Sequence, residues 1–380
     1  MWLLVCTGTA AGAPDDPAPG GNDPLRQRSP NRCSGSQLPL SRGGKPLRGG
    51  RERLSLLRSG QPGPHHRSQR PARGGSSIRS EYQWRKHIVA RILITGNKGF
   101  FGARFQRHYS LQHQILGIDR DEVDIVDRDA VLRTIEEYRP EIVIHGAAIT
   151  ATSFSDKHPE LTRQINVDGA VHVAEGAMAV GARLLFFSTE QVFNGNVEAG
   201  PYREEHAANP DTMYGRTKLE AEDRLRGILS DLWILRFTWM FGLPEYQAMV
   251  NPNVVWDALR IAVSGKPARI PVQEFRGLTW VYHMIDRILG VLEIPPGTYH
   301  IGSENELGRY DIFRHIFREL GIASRIDDLL IPDHDKYRAK PRDVRLDTGK
   351  IGAAGITFPP GTEAISECIR EFSMTGMGSP

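Results

Sequence analysis

A tyrosine and a lysine four residues apart, Tyr214 and Lys218, are the pair in this sequence best suited to chemistry. On a helix, residues at this spacing share a face, so the phenol and the ammonium would point the same way. A nearby cation stabilises the phenolate and lowers the pKa of a tyrosine. Such a tyrosine can give a proton to a carbonyl oxygen as a hydride reaches the carbon. The same spacing is also common on exposed helices, where it has no chemical role.

A hydroxyl group is expected close to this pair. Thr189 follows a predicted buried strand at residues 183–187, and it precedes Tyr214 by 25 residues. Its hydroxyl can hold the same carbonyl oxygen, so Thr189, Tyr214 and Lys218 form a predicted carbonyl-polarising trio. Ser188, the residue before Thr189, is the alternative hydroxyl.

A glycine-rich turn at Gly96, Gly99 and Gly102 indicates where a cofactor would bind. It follows an apolar run at 88–94 and precedes a helical pattern from Phe100, the context in which such glycines bind a dinucleotide. The first glycine permits a tight turn, the second lets the backbone approach a pyrophosphate, and the third lets the helix pack on the strand. N–H groups at the helix N-terminus would bind the phosphates. The spacing differs from G-x-G-x-x-G, and a plain tight turn is the alternative.

An acidic residue after the second predicted strand, Asp119, strengthens the dinucleotide interpretation. It lies about 20 residues beyond the glycines, where a carboxylate accepts hydrogen bonds from the adenosine ribose. This placement favours NADH, because a 2′-phosphate would face the carboxylate. Arg120 and Lys98 favour NADPH instead, because their charges can pair with that phosphate. The sequence therefore predicts use of NADH or NADPH, with a modest preference for NADH.

The elements that would position these groups alternate between strand and helix. Predicted strands cover 88–94, 115–118, 142–145, 183–187 and 232–237, and predicted helices start at 100 or cover 128–139, 161–179 and 211–229. The alternation predicts an α/β fold, a Rossmann-type doubly wound parallel sheet, whose ligands bind at the carboxyl ends of the strands. Past residue 240 the alternation weakens, which predicts a smaller C-terminal substrate-binding lobe with helices at 254–263 and 310–320.

Residues 1–86 differ in composition from the rest of the chain. They hold 13 Gly and 10 Pro, with 15 Lys and Arg against 5 Asp and Glu. Their net charge of +10 exceeds the +3 of all 380 residues, so residues 87–380 carry −7. A segment with so few large apolar residues is predicted to be disordered, as a solvated tail or as a basic arm for an acidic partner. Two further domains are predicted. Residues 87–240 form an NAD(P)-binding domain, and residues 241–380 form mainly a substrate-binding lobe.

The composition also argues against several classes of protein. The acidic body gives no support to nucleic-acid binding. No apolar run reaches the roughly 18 residues of a membrane span, and residues 2–5 are too short for a signal-peptide core. The three cysteines have no metal-ligand spacing and imply no disulfide framework. These features predict a cytoplasmic protein with no metal and no nucleic-acid or membrane partner.

Together these motifs resemble those of the extended short-chain dehydrogenase/reductases, and among them the dTDP-4-dehydrorhamnose reductase group. Asn166 and the segments at 147–150, 188–195, 236–242 and 340–347 carry the resemblance further. It implies an NADPH- or NADH-dependent reductase of 4-keto-6-deoxy nucleotide sugars. In such an enzyme Thr189 polarises the carbonyl, Tyr214 donates the proton, and Lys218 orients Tyr214 and binds the nicotinamide ribose.

The resemblance adds cofactor contacts to those expected from the strands and turns. From the residues themselves come Gly96, Gly99, Gly102, Asp119, Arg120 and Ala147, and from the resemblance come Phe100, Phe101, Asp124, Ala148 and Thr150. The predicted substrate contacts are Thr189, Glu190 and Trp239, although Trp239 could equally be a core aromatic. The predicted partners are a nucleotide-sugar substrate and a second copy of the chain in a homodimer.

The sequence departs from the group at two places. Glu190 and Gln191 stand where Asp-Tyr is usual, which bears on the identity of the sugar. Ser153 and Asp156 stand where an acidic pair is usual, which bears on metal-assisted dimerisation. Related sugar dehydratases need an acid at the position of Gln191, and an amide cannot act as one, so dehydration is not expected.

Two other functions are compatible with these residues. An NAD-dependent nucleotide-sugar epimerase would use the same tyrosine first as a base and would regenerate its cofactor. A non-catalytic NAD(P)-binding regulatory subunit would bind a partner enzyme without turnover. Net oxidation of the cofactor distinguishes the reductase from both.

Overall fold

The computed structural model describes residues 89–376, so the tail predicted at 1–86 lies outside the described residues. The strands are β1 Arg91–Thr95, β2 Gln114–Ile118, β3 Ile142–His145, β4 Arg183–Thr189, β5 Leu232–Phe237, β6 Trp239–Phe241, β7 Ala268–Pro271, β8 Glu274–Phe275, β9 Leu278–Trp280, β10 Gly297–Ile301, β11 Leu330–Asp333 and β12 Arg342–Asp343. The helices are α1 Phe100–Tyr109, α2 Arg128–Tyr138, α3 Thr152–Lys157, α4 Pro159–Arg163, α5 Gly169–Val180, α6 Met213–Arg226, α7 Val254–Ser264, α8 Val281–Ile288, α9 Arg309–Glu319, α10 Ile326–Leu329, α11 Gly349–Ala353 and α12 Gly361–Gly376.

Six parallel strands form the central sheet in the order β10-β5-β4-β3-β1-β2. The chain runs from β1 outward to β2 and then returns to the other side of β1 as β3, so the winding reverses beside β1. Thr95 pairs in register with Ile118 on β2 and with His145 on β3, which brings the carboxyl ends of these strands to one edge. The structure confirms the predicted α/β fold with its doubly wound parallel sheet.

Each central strand is apolar on both faces because helices cover both sides of the sheet. Ile92 and Ile94 belong to a core that includes residues of α1, α7, α8, α9 and α12. Leu93, which points the other way, belongs to a second core with residues of α2, α5 and α6. Burying each such side chain contributes roughly 1.5–3 kcal/mol. This two-sided burial explains why the strands appear in the sequence as continuous β-branched runs.

Several boundaries differ from those predicted. The first strand begins only at Arg91, and Val89 before it is exposed. The single helix expected at 161–179 is instead α4, a π-helical turn at Gln164–Asp168, and α5. A single π turn changes the helical repeat over only a few residues, so the apolar pattern on either side of it still predicts one continuous helix.

The chain after β6 returns once to the central sheet, through β10. The other late strands form three parallel two-stranded pairs, β6 with β9, β7 with β11 and β8 with β12. The division of the chain near residue 240 stays a prediction. Within the part of the chain that the structure describes, no helix combines the length and the apolarity that crossing a membrane requires.

Candidate active site

The glycine turn joins β1 to α1 and brings the start of the helix close to the end of the strand. Gly96 has a φ of +73°, and its N–H donates to the Ile118 carbonyl at 2.8 Å. A Cβ at Gly102 would lie 2.3 Å from the Gly96 carbonyl oxygen, so only glycine lets the helix start so close to the turn. Ala103 N–H donates back to the Gly99 carbonyl at 3.2 Å. The N–H groups before it, at the first turn of α1, are the ones a helix leaves for a ligand.

The two phenylalanines at the start of α1 direct their rings into the first apolar core. Both rings are buried, with 6% of each residue exposed. The Phe101 ring packs edge-on against Phe187 at a centroid distance of 5.0 Å, and the Phe100 ring stacks under the Arg104 guanidinium at 4.4 Å. These contacts fix the helix N-terminus, so the cofactor contacts expected of Phe100 and Phe101 are available only from their N–H groups.

Asp119 follows β2 and is tied directly to the glycine turn. Its Oδ2 accepts a hydrogen bond from the Lys98 N–H at 3.2 Å, and its Oδ1 accepts one from the Arg120 N–H at 2.9 Å. The Lys98 ammonium itself lies 2.6 Å from Glu122 and 3.0 Å from Asp121. The positive charge expected from Lys98 near a cofactor phosphate is therefore already paired with carboxylates of the next turn.

Two other predicted cofactor contacts, Arg120 and Asp124, lie on the surface and face each other. The side chain of Arg120 is 80% exposed, and its Nε is 3.9 Å from Oδ2 of Asp124. Oδ1 of Asp124 accepts from the Val126 N–H at 3.0 Å, which fixes the start of the turn before α2. Of Asp119, Arg120 and Asp124, only Asp119 has a side chain that is hydrogen-bonded to the backbone of the glycine turn.

The segment after β3 is held in place by two buried polar side chains. The Thr95 hydroxyl accepts from the Ala147 N–H at 3.1 Å and contacts Nδ1 of His145 at 2.8 Å. Asn166, in the π-helical turn, accepts from the Ile149 N–H at 2.8 Å and donates to its carbonyl at 3.0 Å. The same amide donates to the Thr217 hydroxyl on α6 at 3.1 Å. Asn166 thereby fixes the Ala148–Thr150 stretch relative to the helix that carries Tyr214 and Lys218.

Thr189 and Tyr214 meet at the carboxyl end of β4. Their side chains are hydrogen-bonded, and Thr189 also caps the 3₁₀ turn Glu190–Phe193 by accepting from the Gln191 N–H at 3.2 Å. Ser188 points to the opposite face of the strand, as alternation requires. Its hydroxyl donates to the buried carboxylate of Glu222, which also accepts from Arg236. The geometry therefore favours Thr189 over Ser188 as the hydroxyl beside the phenol.

The expected lowering of the Tyr214 pKa by Lys218 is wrong. Burial raises the pKa of Tyr214 to about 12, the hydrogen bond from Thr189 acts against this rise, and the nearby cation that lowers the pKa is Arg276. The Lys218 ammonium lies 4.0 Å from the centroid of the Phe186 ring. This cation–π contact stabilises the charged form of the lysine. Burial lowers the pKa of Lys218 to about 7, although Glu222 opposes this.

Glu190 and Trp239, the other two predicted substrate contacts, are joined by Arg276 from the loop between β8 and β9. Arg276 donates through Nε, at 2.8 Å, and through Nη2 to Oε1 of Glu190. Its guanidinium also stacks over the Trp239 ring at 4.3 Å. Trp239 is partly buried and packs against the first apolar core.

A profile of the RmlD substrate binding domain matches residues 90–374, which is most of the chain. The chain belongs to the RmlD substrate binding domain family. This match confirms the resemblance found in the sequence motifs. It spans both the glycine turn and the loop that carries Arg276.

The chain is also similar to individual known proteins. The dTDP-4-dehydrorhamnose reductase of Streptomyces griseus is 30% identical over 275 residues, which cover 70% of this chain and 88% of that protein. Methionine adenosyltransferase 2 subunit beta of Bos taurus is 26% identical over 280 residues, which cover 70% of this chain and 83% of that protein. The crystal structure of dTDP-4-dehydrorhamnose reductase from Bacillus anthracis str. Ames in complex with NADP has the same fold, with a TM-score of 0.67 at 24% identity over 74% of this chain and 99% of that one.

Three arginines near Glu190 and Glu274 were not predicted from the sequence as site residues, namely Arg276, Arg309 and Arg342. Arg309 donates to Glu274 at 3.0 Å, and Arg342 donates to Oε1 of the Gln191 side-chain amide at 2.8 Å. Arg276 is 86 residues from its partner Glu190, and no local spacing links the two. Arg342 was visible only as part of the segment 340–347 that carried the resemblance. Among residues 89–376, no three His, Cys, Asp or Glu side chains are grouped to hold a metal ion.

Proposed function

We propose that the protein is an NAD(P)H-dependent reductase of a 4-keto-6-deoxy nucleotide sugar, similar to dTDP-4-dehydrorhamnose reductase. The hydrogen bond between Thr189 and Tyr214, one helical turn from Lys218, carries the proposal. Membership in the RmlD family and the S. griseus relative support the substrate class. The glycine turn, with its close approach at Gly102, fits a nicotinamide dinucleotide.

The residues of the chain have distinct roles in this reaction. When bound, the nicotinamide supplies the hydride. The first turn of α1 binds the pyrophosphate through N–H groups, and Asp119 accepts from the adenosine ribose. Thr189 holds the carbonyl oxygen and Tyr214 donates the proton to it. A phenol whose pKa is about 12 stays protonated at neutral pH, which suits a proton donor. Lys218 binds the nicotinamide ribose beside it.

Activity measurements with matched variants test this proposal. The purified protein is mixed with dTDP-4-dehydrorhamnose and NADH or NADPH, and cofactor oxidation is followed by absorbance. Tyr214→Phe should lower kcat by at least the ~10²-fold typical of lost general acid catalysis, with cofactor affinity retained. Thr189→Val should also lower kcat. Ser188→Ala should retain kcat, because the Ser188 hydroxyl faces Glu222. Near wild-type turnover of Tyr214→Phe would contradict the mechanism.

A regulatory subunit is the second candidate, because one curated relative is methionine adenosyltransferase 2 subunit beta. Such a protein would bind NAD(P)H through the same glycine turn without oxidising it. Cofactor binding with no turnover of any 4-keto sugar would favour this role. Isomerisation of the sugar without net oxidation would instead favour the epimerase.

A further inference from the structure

Glu222 is a fully buried carboxylate on α6, one helical turn after Lys218, and the proposed reaction does not use it. It accepts hydrogen bonds from the Ser188 hydroxyl on β4 and from Nε and Nη2 of Arg236 on β5, the latter two at 3.0 and 2.7 Å. It also accepts from Nη2 of Arg226 at 3.0 Å. Burying a charge is costly even when the charge is paired, so this carboxylate requires an explanation.

These hydrogen bonds attach α6 to two strands of the central sheet beside the proposed site. Ser188 pairs in register with Arg236 on the neighbouring strand, and it directly precedes Thr189. Because Glu222 bonds both members of this pair, it joins α6 to β4 and β5 at one level of the sheet. The position of Lys218, one turn earlier on α6, is thereby fixed relative to the strand that carries Thr189.

The charges around the Lys218 ammonium are few. From β4 the Phe186 ring faces it at 4.0 Å, and from β3 the His145 ring stacks beside Phe186 at a centroid distance of 5.8 Å. His145 is neutral at physiological pH, because burial lowers its pKa to about 3. Among residues 89–376, Glu222 is the acid whose charge raises the pKa of Lys218 against the effect of burial. Glu222 is therefore the charged group that favours the ammonium over the neutral amine.

The groups bound to Glu222 keep constant charges while Lys218 titrates. Arg226 and Arg236 stay protonated, because a guanidinium does not release its proton in proteins. Arg236 also lies 3.5 Å from Nε2 of His300 on β10, and burial lowers the pKa of this histidine to about 3, with Arg236 acting in the same direction. The electrostatic effect of this cluster on Lys218 therefore does not vary near neutral pH.

A nicotinamide ribose would distinguish the two forms of this lysine. An ammonium can donate three hydrogen bonds, and bonds from a charged donor are roughly twice as strong as neutral ones. We infer that Glu222 is a positioning residue, which holds α6 on β4 and β5 and keeps Lys218 in the charged form that binds the ribose. The inference rests on the role proposed for Lys218 in the reductase.

The pH dependence of NADH binding tests this inference without turnover. Fluorescence titrations between about pH 5 and 9 should show weaker binding as Lys218 loses its proton, with half of the change complete at a midpoint pH near 7. Lys218→Met should remove this dependence. Glu222→Gln keeps the shape of the side chain but removes its charge, so the midpoint should fall by roughly one pH unit.

Two further variants on α6 separate charge from structure. Arg226→Gln removes a cation from the same carboxylate and should raise the midpoint, because a like charge near Lys218 is lost. The side chain of Arg226 is 42% exposed, so this variant should fold. Glu220→Gln, at an acid whose side chain is 36% exposed on the same helix, is the matched control and should leave the midpoint unchanged.

The outcomes separate this inference from the reductase proposal. A loss of affinity in Glu222→Gln that is equal at every pH would overturn the inference, since a purely structural role weakens binding without moving the midpoint. If Glu222→Gln does not fold, Arg226→Gln decides: a raised midpoint supports the inference and an unmoved one overturns it. Reduction of dTDP-4-dehydrorhamnose with an unmoved midpoint in both variants would leave the reductase intact and overturn the role of Glu222. If no 4-keto sugar is reduced, the reductase proposal fails, and the NADH titrations still decide the inference.

Discussion

Arg276 donates two hydrogen bonds to a single oxygen of Glu190, across 86 residues of sequence. The side chain of Arg276 is 15% exposed and that of Glu190 is 2% exposed, so the pair is largely shielded from water. Burial raises the pKa of Glu190, and the charges of Arg276 and then Arg342 oppose this rise. The pair therefore joins the strand end that carries Thr189 to the loop between β8 and β9.

Removing the Arg276 guanidinium alone should destabilise the protein more than removing both Arg276 and Glu190. Arg276→Leu leaves a buried carboxylate without its partner, and we expect the free energy of unfolding to fall by about 3 kcal/mol. The double variant Arg276→Leu/Glu190→Leu should recover most of this loss, because the uncompensated charge is gone. Urea unfolding of both variants measures the difference. Arg269→Leu, at an exposed arginine near Asp333 and Asp335, is the control and should change little. A double variant as unstable as the single one would contradict this account.

Adding a side chain at Gly102 in the glycine turn should impair the cofactor site specifically. A Cβ at Gly102 would meet the Gly96 carbonyl oxygen at 2.3 Å and the Asn97 Cα at 2.7 Å, both rigid backbone. Gly102→Ala should therefore lower stability by roughly 1–3 kcal/mol and weaken NAD(P)H binding. Fluorescence titration with NADH and thermal unfolding measure these effects. Gly352→Ala, within α11, meets nothing within 4 Å and should stabilise the protein by about 0.5–1 kcal/mol. Normal NADH affinity in Gly102→Ala would show that the turn can relax.

The sequence predicted those features that depend on local pattern. The strands at Ile142–His145 and Leu232–Phe237 were predicted to the residue, because each is a short apolar run bounded by polar or turn residues. The partnership of Glu190 with Arg276 could not be predicted, since it depends on how a late loop packs on β4. The pKa of Tyr214 could not be predicted either, because burial by distant segments outweighs the effect of a lysine one turn away. The role of Asn166 emerges only from the π-helical turn, which shows no separate sequence signal.

The buried lysine should make stability depend on pH. The pKa of Lys218 falls from 10.5 to about 7 in the folded protein, because burial disfavours the ammonium. Between these two values the unfolded chain binds a proton that the folded chain has released. Stability therefore rises with pH across this window, with a slope of up to about 1.4 kcal/mol per pH unit from this one group.

Urea unfolding of wild type and Lys218→Met across the same pH window isolates this contribution. The free energy of unfolding of wild type minus that of the variant should increase as the pH rises above about 7. Lys266→Met, at an exposed lysine, controls for the loss of a lysine in general. A constant difference would show that Lys218 stays charged in the folded protein, held by Phe186 and Glu222.

The cofactor preference should depend on a single carboxylate, that of Asp119. Its Oδ2 accepts from the Lys98 N–H inside the glycine turn, so the charge lies where an adenosine ribose would meet the turn. The two cations that could offset it are poorly placed. Lys98 is paired with Asp121 and Glu122, and the side chain of Arg120 is 80% exposed. We therefore expect a modest preference of the wild-type protein for NADH.

Removing the charge of Asp119 should shift this preference toward NADPH. Asp119→Ala should change the ratio of kcat/KM for the two cofactors by roughly tenfold, if about 1.4 kcal/mol of repulsion on the 2′-phosphate is relieved. Asp119→Asn keeps an acceptor for the Lys98 N–H, so it should shift the ratio in the same direction without loosening the turn. Comparing the two variants separates charge from turn geometry: a shift in Asp119→Ala alone would indicate that the turn had moved. An unchanged ratio in both would mean that the carboxylate does not face the ribose, and Asp119 would then serve only to hold Lys98 and Arg120 in the turn.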